Sequence, residues 1–200
     1  PYGIGANVMW PPGDPANGWA YSEDGIRASV EFAAKSGRKI AGLVITNPDN
    51  PTGLTTSVEK QVVLAKAALA AGIPFVLFDW MYHFVTDEQP MDLNAFLGFF
   101  SPEERKHLMF LDGLTKSLGA SNIRNCHLIA SEEVVKFTVA RASHSVMPSF
   151  FSLAVAMAAY EMGYAEASRT IVEPTNASRV VLKGLLEKSG MQHIIGKGYY

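Results

Sequence analysis

Lys116 stands in the run Leu114-Thr115-Lys116-Ser117-Leu118-Gly119, directly after the apolar stretch His107-Leu108-Met109-Phe110-Leu111-Asp112. A lysine amine is the one side-chain group that condenses readily with an aldehyde to form an imine. Three polar residues upstream also follow apolar runs, Asn50 after the run ending at Thr46, and Asp79 and Tyr82 after the run ending at Phe78. A carboxylate such as Asp79 can keep the nitrogen of a heteroaromatic ring protonated. The Tyr82 phenol and the Asn50 amide can donate to a ring oxygen, and Arg124 can grip a phosphate bidentately. These types together suit a phosphorylated aromatic aldehyde held through Lys116.

The elements that must position them are legible as apolar runs and caps. Lys39 to Thr46, Ile73 to Phe78, Leu108 to Leu111 and Cys126 to Ala130 read as strands, the first three apolar on both faces, as strands covered by helices are. Tyr21 to Ser36 and Val58 to Ala71 read as helices, the second preceded by Thr55-Thr56-Ser57 and closed by Gly72. Ser101-Pro102-Glu103-Glu104 opens another helix, with Pro in its first turn and acids at the positive end of its dipole. From Ser131 onward the pattern is helical: one helix from Ser131, one over Ser149 to Met162, and one over Ala165 to Ser189 that is either long or a bent pair around Pro174. This alternation predicts an α/β fold with a mainly parallel sheet flanked by helices. Such sheets place ligand sites at the carboxyl ends of their strands, where Asn50, Asp79 and Lys116 fall.

Composition narrows the classes. Two hundred residues with 48% hydrophobic and 18% charged content can bury a core. A formal charge of -2 offers no basic surface for nucleic acid and no polybasic membrane anchor. The single cysteine, Cys126, excludes an internal disulfide framework and fits a reducing, cytoplasmic setting; it reads as a residue packed in a strand. The five histidines lack metal-ligand spacing. The chain starts at Pro1 without a signal pattern and stops at Tyr200, so it reads as the central part of a longer protein. Residues 1–20 read as a loop or arm, 21–175 as a cofactor-binding large-domain portion, and 176–200 as a helix leading toward a small domain.

Asn47-Pro48-Asp49-Asn50-Pro51-Thr52-Gly53 resembles the Asn-Pro-x-Asn-Pro-Thr-Gly motif of the class I/II aminotransferases, pyridoxal phosphate enzymes of fold type I. Asp79-Trp80-Met81-Tyr82 is similar to their Asp-x-x-Tyr segment, and Thr115-Lys116 with Arg124 eight residues later resembles their Ser-Lys…Arg segment. Arg141-Ala142-Ser143-His144-Ser145 resembles the segment from which an arginine and a serine reach toward a neighbouring subunit. Order and spacing agree over about residues 39 to 160. Taken singly, each has an ordinary reading: a proline-stiffened turn, a surface lysine, a half-buried tyrosine. Their joint order favours the functional one.

The resemblance implies that pyridoxal 5'-phosphate is the cofactor and that Lys116 forms the internal aldimine and moves the substrate's α-proton. It implies that Asp79 faces the pyridine nitrogen, that Asn50 and Tyr82 bind the ring oxygen, and that Arg124 binds the phosphate. It further implies a homodimer with a shared active site, an amino acid and a 2-keto acid as substrates, and commonly a cis bond at Asn50-Pro51. The implied activity is a transaminase; a lyase on the same scaffold, or a ligand-sensing regulatory domain, would share these residues. His83, beside Tyr82, reads as a polar helix-start residue. The chain departs from the family pattern at Gly113, where a hydroxyl is usual three residues before the lysine, at Cys126, where a glycine is usual, and at Trp80-Met81.

Overall fold

The computed structural model describes residues 4–13, 16, 18–82, 84–86, 91–142, 148–194 and 196–198. Four strands, β1 (Leu43–Thr46), β2 (Val76–Asp79), β3 (Leu108–Gly113) and β4 (Cys126–Ile129), form one sheet in the order β1-β2-β3-β4. The first three run parallel, with Thr46 paired to Asp79 and Asp79 to Leu111, and β4 runs antiparallel to β3. The expected α/β architecture is therefore present, a mostly parallel sheet flanked by helices with one antiparallel edge. Lys39 to Gly42 and Ile73 to Phe75 lie outside the strands, which start later than their apolar runs.

Local chemistry accounts for the helix boundaries. In α1 (Glu23–Lys35) the Ser22 hydroxyl accepts the Gly25 N–H at 3.0 Å, with Glu23 and Asp24 in the first turn. Ser57 accepts the Lys60 N–H at 3.3 Å to start α2 (Val58–Ala70). Gly72, at φ +80°, ends the helical path where a side chain would be strained. The short α3 (Leu93–Leu97) is capped by Asp92. In α4 (Pro102–Arg105), Ser101 and Glu104 cap each other's backbone N–H groups reciprocally. The remaining helices are α5 (Leu114–Ser117), α6 (Glu132–Ala142), α7 (Phe150–Met162) and α8 (Tyr164–Ser189). Of the two readings for the last segment, the continuous helix is found, with Pro174 inside it.

The main core joins α1, α2 and α3 to the sheet through Ile26, Leu64, Ala65, Ala68, Phe78, Phe96 and Phe110. Phe78 stacks on Phe110 with centroids 5.1 Å apart and meets Phe96 edge-on at 5.0 Å, the offset and edge arrangements aromatic quadrupoles favour. Trp80 is buried against the same cluster, its indole N–H donating to Gln61 Oε1 at 3.2 Å. Gln61, itself buried, donates to the Thr56 carbonyl at 2.8 Å, so both polar groups enter the core with partners. Alternation along β2 turns Val76 and Phe78 into this core and leaves Asp79 half-buried at the strand's carboxyl end.

A smaller cluster of Leu114, Ala156 and Ala159 joins α5 to α7, with Leu118 and Ala167 against it. Helix α7 turns large apolar residues outward: Phe150 and Phe151 are 92% and 82% exposed, whereas Ser152, Ala156 and Ala159 face inward. Among the described residues no helix is long and apolar enough to cross a membrane.

Candidate active site

Between β1 and α2 the chain makes a turn that its own side chains hold. The Asn47 N–H donates to the Asp79 carbonyl at 3.0 Å, extending the β1–β2 pairing, and Asn47 Oδ1 accepts the Thr56 N–H at 2.7 Å. Asp49 N–H donates to the Leu54 carbonyl at 2.8 Å, Gly53 N–H to the Asp49 carbonyl at 2.9 Å, and the Thr52 hydroxyl to Asp49 Oδ2 at 2.7 Å. Gly53 sits at φ +68°, the left-handed conformation glycine adopts at little cost. The Asn50–Pro51 bond is cis, as is Asn47–Pro48.

This turn delivers Asn50 to Tyr82: Asn50 Nδ2 donates to the Tyr82 hydroxyl at 3.4 Å across 32 residues of sequence. Lys116 arrives from the other side, its Nζ 5.6 Å from the centroid of the Tyr82 ring, within cation–π reach. The lysine lies on the single turn α5 that follows β3, and is half-buried there. Tyr82 itself is buried. Three of the five expected residues therefore converge, from the carboxyl ends of three parallel strands.

Asp79 is the last residue of β2 rather than the first beyond it. Burial pushes its carboxyl above the usual carboxylate range; the Met81 N–H, donating to Asp79 Oδ1 at 3.2 Å, partly offsets this, and the negative Asp112 adds to the rise. Such a group gains from a cationic partner. Arg124 lies on the exposed loop between α5 and β4, its guanidinium donating to the Ser121 carbonyl at 2.8 Å. Thr115 Oγ1, bonded to the Ile123 carbonyl at 3.4 Å, ties that loop back to α5. Arg141 ends α6 with its guanidinium over the Phe137 ring at 5.5 Å. His83, Ser143, His144 and Ser145 lie outside the described residues.

Two features escaped sequence reasoning. Asp112 and His127 are cross-strand partners in the β3–β4 pair, with Asp112 Oδ2 3.5 Å from His127 Nε2, and Tyr160 of α7 places its hydroxyl 3.2 Å from His127 Nδ1. Burial first, then Asp112, raises the Tyr160 phenol above its ordinary value. No spacing rule relates positions 112, 127 and 160; only the antiparallel register does. The same register pairs Gly113 with Cys126. Two of the three departures from the expected pattern, Gly113 and Cys126, thus occupy one cross-strand pair: a Cβ at 113 would come within 2.8 Å of the Asn125 carbonyl oxygen and 3.0 Å of Cys126 Cβ and Met81 Sδ. Cys126 lies in β4 as expected, but exposed rather than packed.

A cavity of about 910 Å³ opens between the N-terminal segment, α1 and β1 and reaches the site only at its Asp49–Asn50 rim. The chemistry converges elsewhere, at the strand ends around Lys116.

Residues 5–200 match the family described as aminotransferase class I and II. The chain belongs to that family. It is 26% identical over 119 residues to the aspartate aminotransferase of Geobacillus stearothermophilus, an alignment covering 59% of this chain and 30% of that enzyme. Among solved structures it superposes on Thermus thermophilus aspartate aminotransferase with maleate at a TM-score of 0.74 and 22% identity, covering 94% of this chain and 47% of the other. It also superposes on the PLP-bound C–S lyase from Staphylococcus hominis at a TM-score of 0.73 and 18% identity, covering 91% and 44%. These likenesses give this family member its fold, that of the type I pyridoxal phosphate enzymes. The chain spans about half the length of these solved relatives.

Proposed function

We propose that the protein is a pyridoxal 5'-phosphate-dependent aminotransferase that moves an amino group between an amino acid and a 2-keto acid, with Lys116 as its catalytic residue. The reading is carried by the convergence of Lys116, Tyr82 and Asn50 in a chain of this family. The donor set fits the cofactor: an amine for its aldehyde at Lys116, two donors for its ring oxygen at Asn50 and Tyr82, a carboxylate for its ring nitrogen at Asp79 and a guanidinium for its phosphate at Arg124.

Bound pyridoxal 5'-phosphate supplies an aldehyde at which amines exchange and a cationic ring that draws electrons from the substrate's α-carbon. Lys116 Nζ would hold the cofactor until the substrate amine takes its place, and would then accept the α-proton and pass it to the carbon that had carried the aldehyde. Asp79, whose carboxyl is raised by burial, would be favoured as a carboxylate by a cationic ring nitrogen and would in turn keep that nitrogen protonated. Asn50 Nδ2 and the Tyr82 hydroxyl orient the ring through its oxygen. Arg124, whose guanidinium donates to the Ser121 carbonyl here, would hold the phosphate.

The exposed phenylalanines of α7 support the homodimer reading, since contiguous apolar surface of this kind marks interfaces. Residues 21–175 serve as the cofactor-binding portion, with 1–20 as an arm and 176–200 leading toward a small domain. A single cysteine, the exposed Cys126, gives the chain no internal disulfide and fits the cytoplasm. The likeness to a C–S lyase favours a second reading, β-elimination on the same residues. An assay of the full-length protein with aspartate and a 2-keto acid separates them. Keto-acid-dependent amino transfer supports the transaminase, whereas release of pyruvate and ammonia from a β-substituted amino acid without a keto acid supports the lyase.

A further inference from the structure

The Gly53 carbonyl, at the end of the Asn50 turn, accepts the N–H of Gly198 at 2.7 Å. The carbonyl of that same Gly198 accepts from Arg179 Nη2, while Arg179 Nη1 donates to Asn176 Oδ1 at 2.8 Å on its own helix. Arg179 is half-buried in the second half of α8, and Gly196 and Gly198 are both buried. The fit is close enough to exclude side chains. A Cβ at 198 would lie 2.6 Å from Pro48 Cβ and 2.8 Å from the Gly53 oxygen, and one at 196 would overlap the Gly53 carbonyl outright. Glycine is required here by approach of backbone to backbone.

We propose that Arg179 is a positioning residue: by holding Gly198 against the Gly53 carbonyl it fixes the turn that aims Asn50 at Tyr82. The chain of contacts runs from Arg179 to Gly198, from Gly198 to Gly53, and through the internal bonds of the turn, Gly53 to Asp49, to Asn50 and Tyr82. Arg suits the task because its planar fork serves Asn176 and Gly198 at once, so the reach from helix to turn is fixed in direction as well as length. The long helix α8 thereby becomes mechanically coupled to a residue more than a hundred positions earlier.

The consequence for catalysis rests on the proposed role of Asn50; the latch itself does not. The test uses the full-length protein in two arms. Hydrogen exchange in the cofactor-free protein reads the latch: in Arg179→Gln, and again in Gly196→Ala, amides of residues 49–54 and 198 should exchange about tenfold faster while those of β2 are unchanged. Unchanged exchange at 49–54, or an equal rise throughout β2, overturns the proposal. A double-mutant cycle on the dissociation constant for pyridoxal 5'-phosphate reads the coupling to Asn50: Arg179→Gln should weaken binding about tenfold with Asn50 present and by less than about twofold in Asn50→Ala. Equal weakening in both backgrounds makes Arg179 merely structural and overturns the proposal. Should wild-type protein bind no cofactor, the functional reading falls and the exchange data decide the latch alone.

Discussion

Gly113 and Cys126 offer a stability test whose size follows from three distances. The Gly113 backbone is extended, at φ -176° and ψ 170°, so any residue could adopt it and the cost of a side chain there is steric alone. A serine would bring its Cβ within 2.8 Å of the Asn125 oxygen and 3.0 Å of Cys126 Cβ and Met81 Sδ, against an ordinary carbon contact of about 3.5–4.0 Å. Overpacking of this degree costs about 1–3 kcal/mol. At about 2–4 °C per kcal/mol for a unit of this size, Gly113→Ser should lower the melting temperature by several degrees. Cys126→Gly alone removes an exposed thiol from an edge strand and should cost about 0.5–1 kcal/mol through backbone freedom. In the double variant the Cβ–Cβ clash disappears while the Asn125 carbonyl still crowds the site. Gly113→Ser should then cost less by about 0.5–1 kcal/mol than it does against Cys126. Thermal and urea unfolding of the four proteins gives the coupling. Strict additivity, or a neutral Gly113→Ser, would refute the claim that the two departures form one compensated pair.

Asp79 should trade stability for cofactor binding. Its folded value is raised, so folding favours the protonated form. The contribution is present below the unfolded value and is lost as pH rises through the folded one. Asp79→Asn should therefore raise the urea midpoint of the cofactor-free protein at neutral pH, with the gain vanishing in acid. The same change should weaken pyridoxal 5'-phosphate binding by about 10–100-fold, the worth of a bond to a charged partner. Phe78→Ala, which empties the centre of the aromatic cluster, should cost about 3–5 kcal/mol in denaturant titration.

Strand–helix alternation and the convergence of Asn50, Tyr82 and Lys116 could be read in advance because each is written in contiguous residues. Apolar runs mark the strands, the Ser101–Glu104 reciprocal cap marks α4, and the proline-bracketed Asn50 turn is a local motif. What lay hidden depends on register or on packing. Whether β4 runs with or against β3 is not written in either apolar run, so neither the Asp112–His127 pair nor the Gly113–Cys126 pair could be seen beforehand. Lys116 was placed at the mouth of a strand, yet the four-residue helix carrying it is too short to leave a periodic trace. Pro174 deletes a donor and crowds the preceding turn, so a break was one fair expectation; α8 continues through it, packed on α7 and α5. Composition carries no facing, so the large apolar residues of α7 could be read equally as core or as an interface surface; the structure turns the small residues inward.

Covalent capture at Lys116 addresses the account most directly. Full-length protein incubated with pyridoxal 5'-phosphate should develop an absorbance band near the visible edge that borohydride abolishes. Peptide mapping should place the reduced adduct on Lys116, and Lys116→Ala should show neither band nor adduct. An adduct on another lysine, or a band that survives Lys116→Ala, would contradict it.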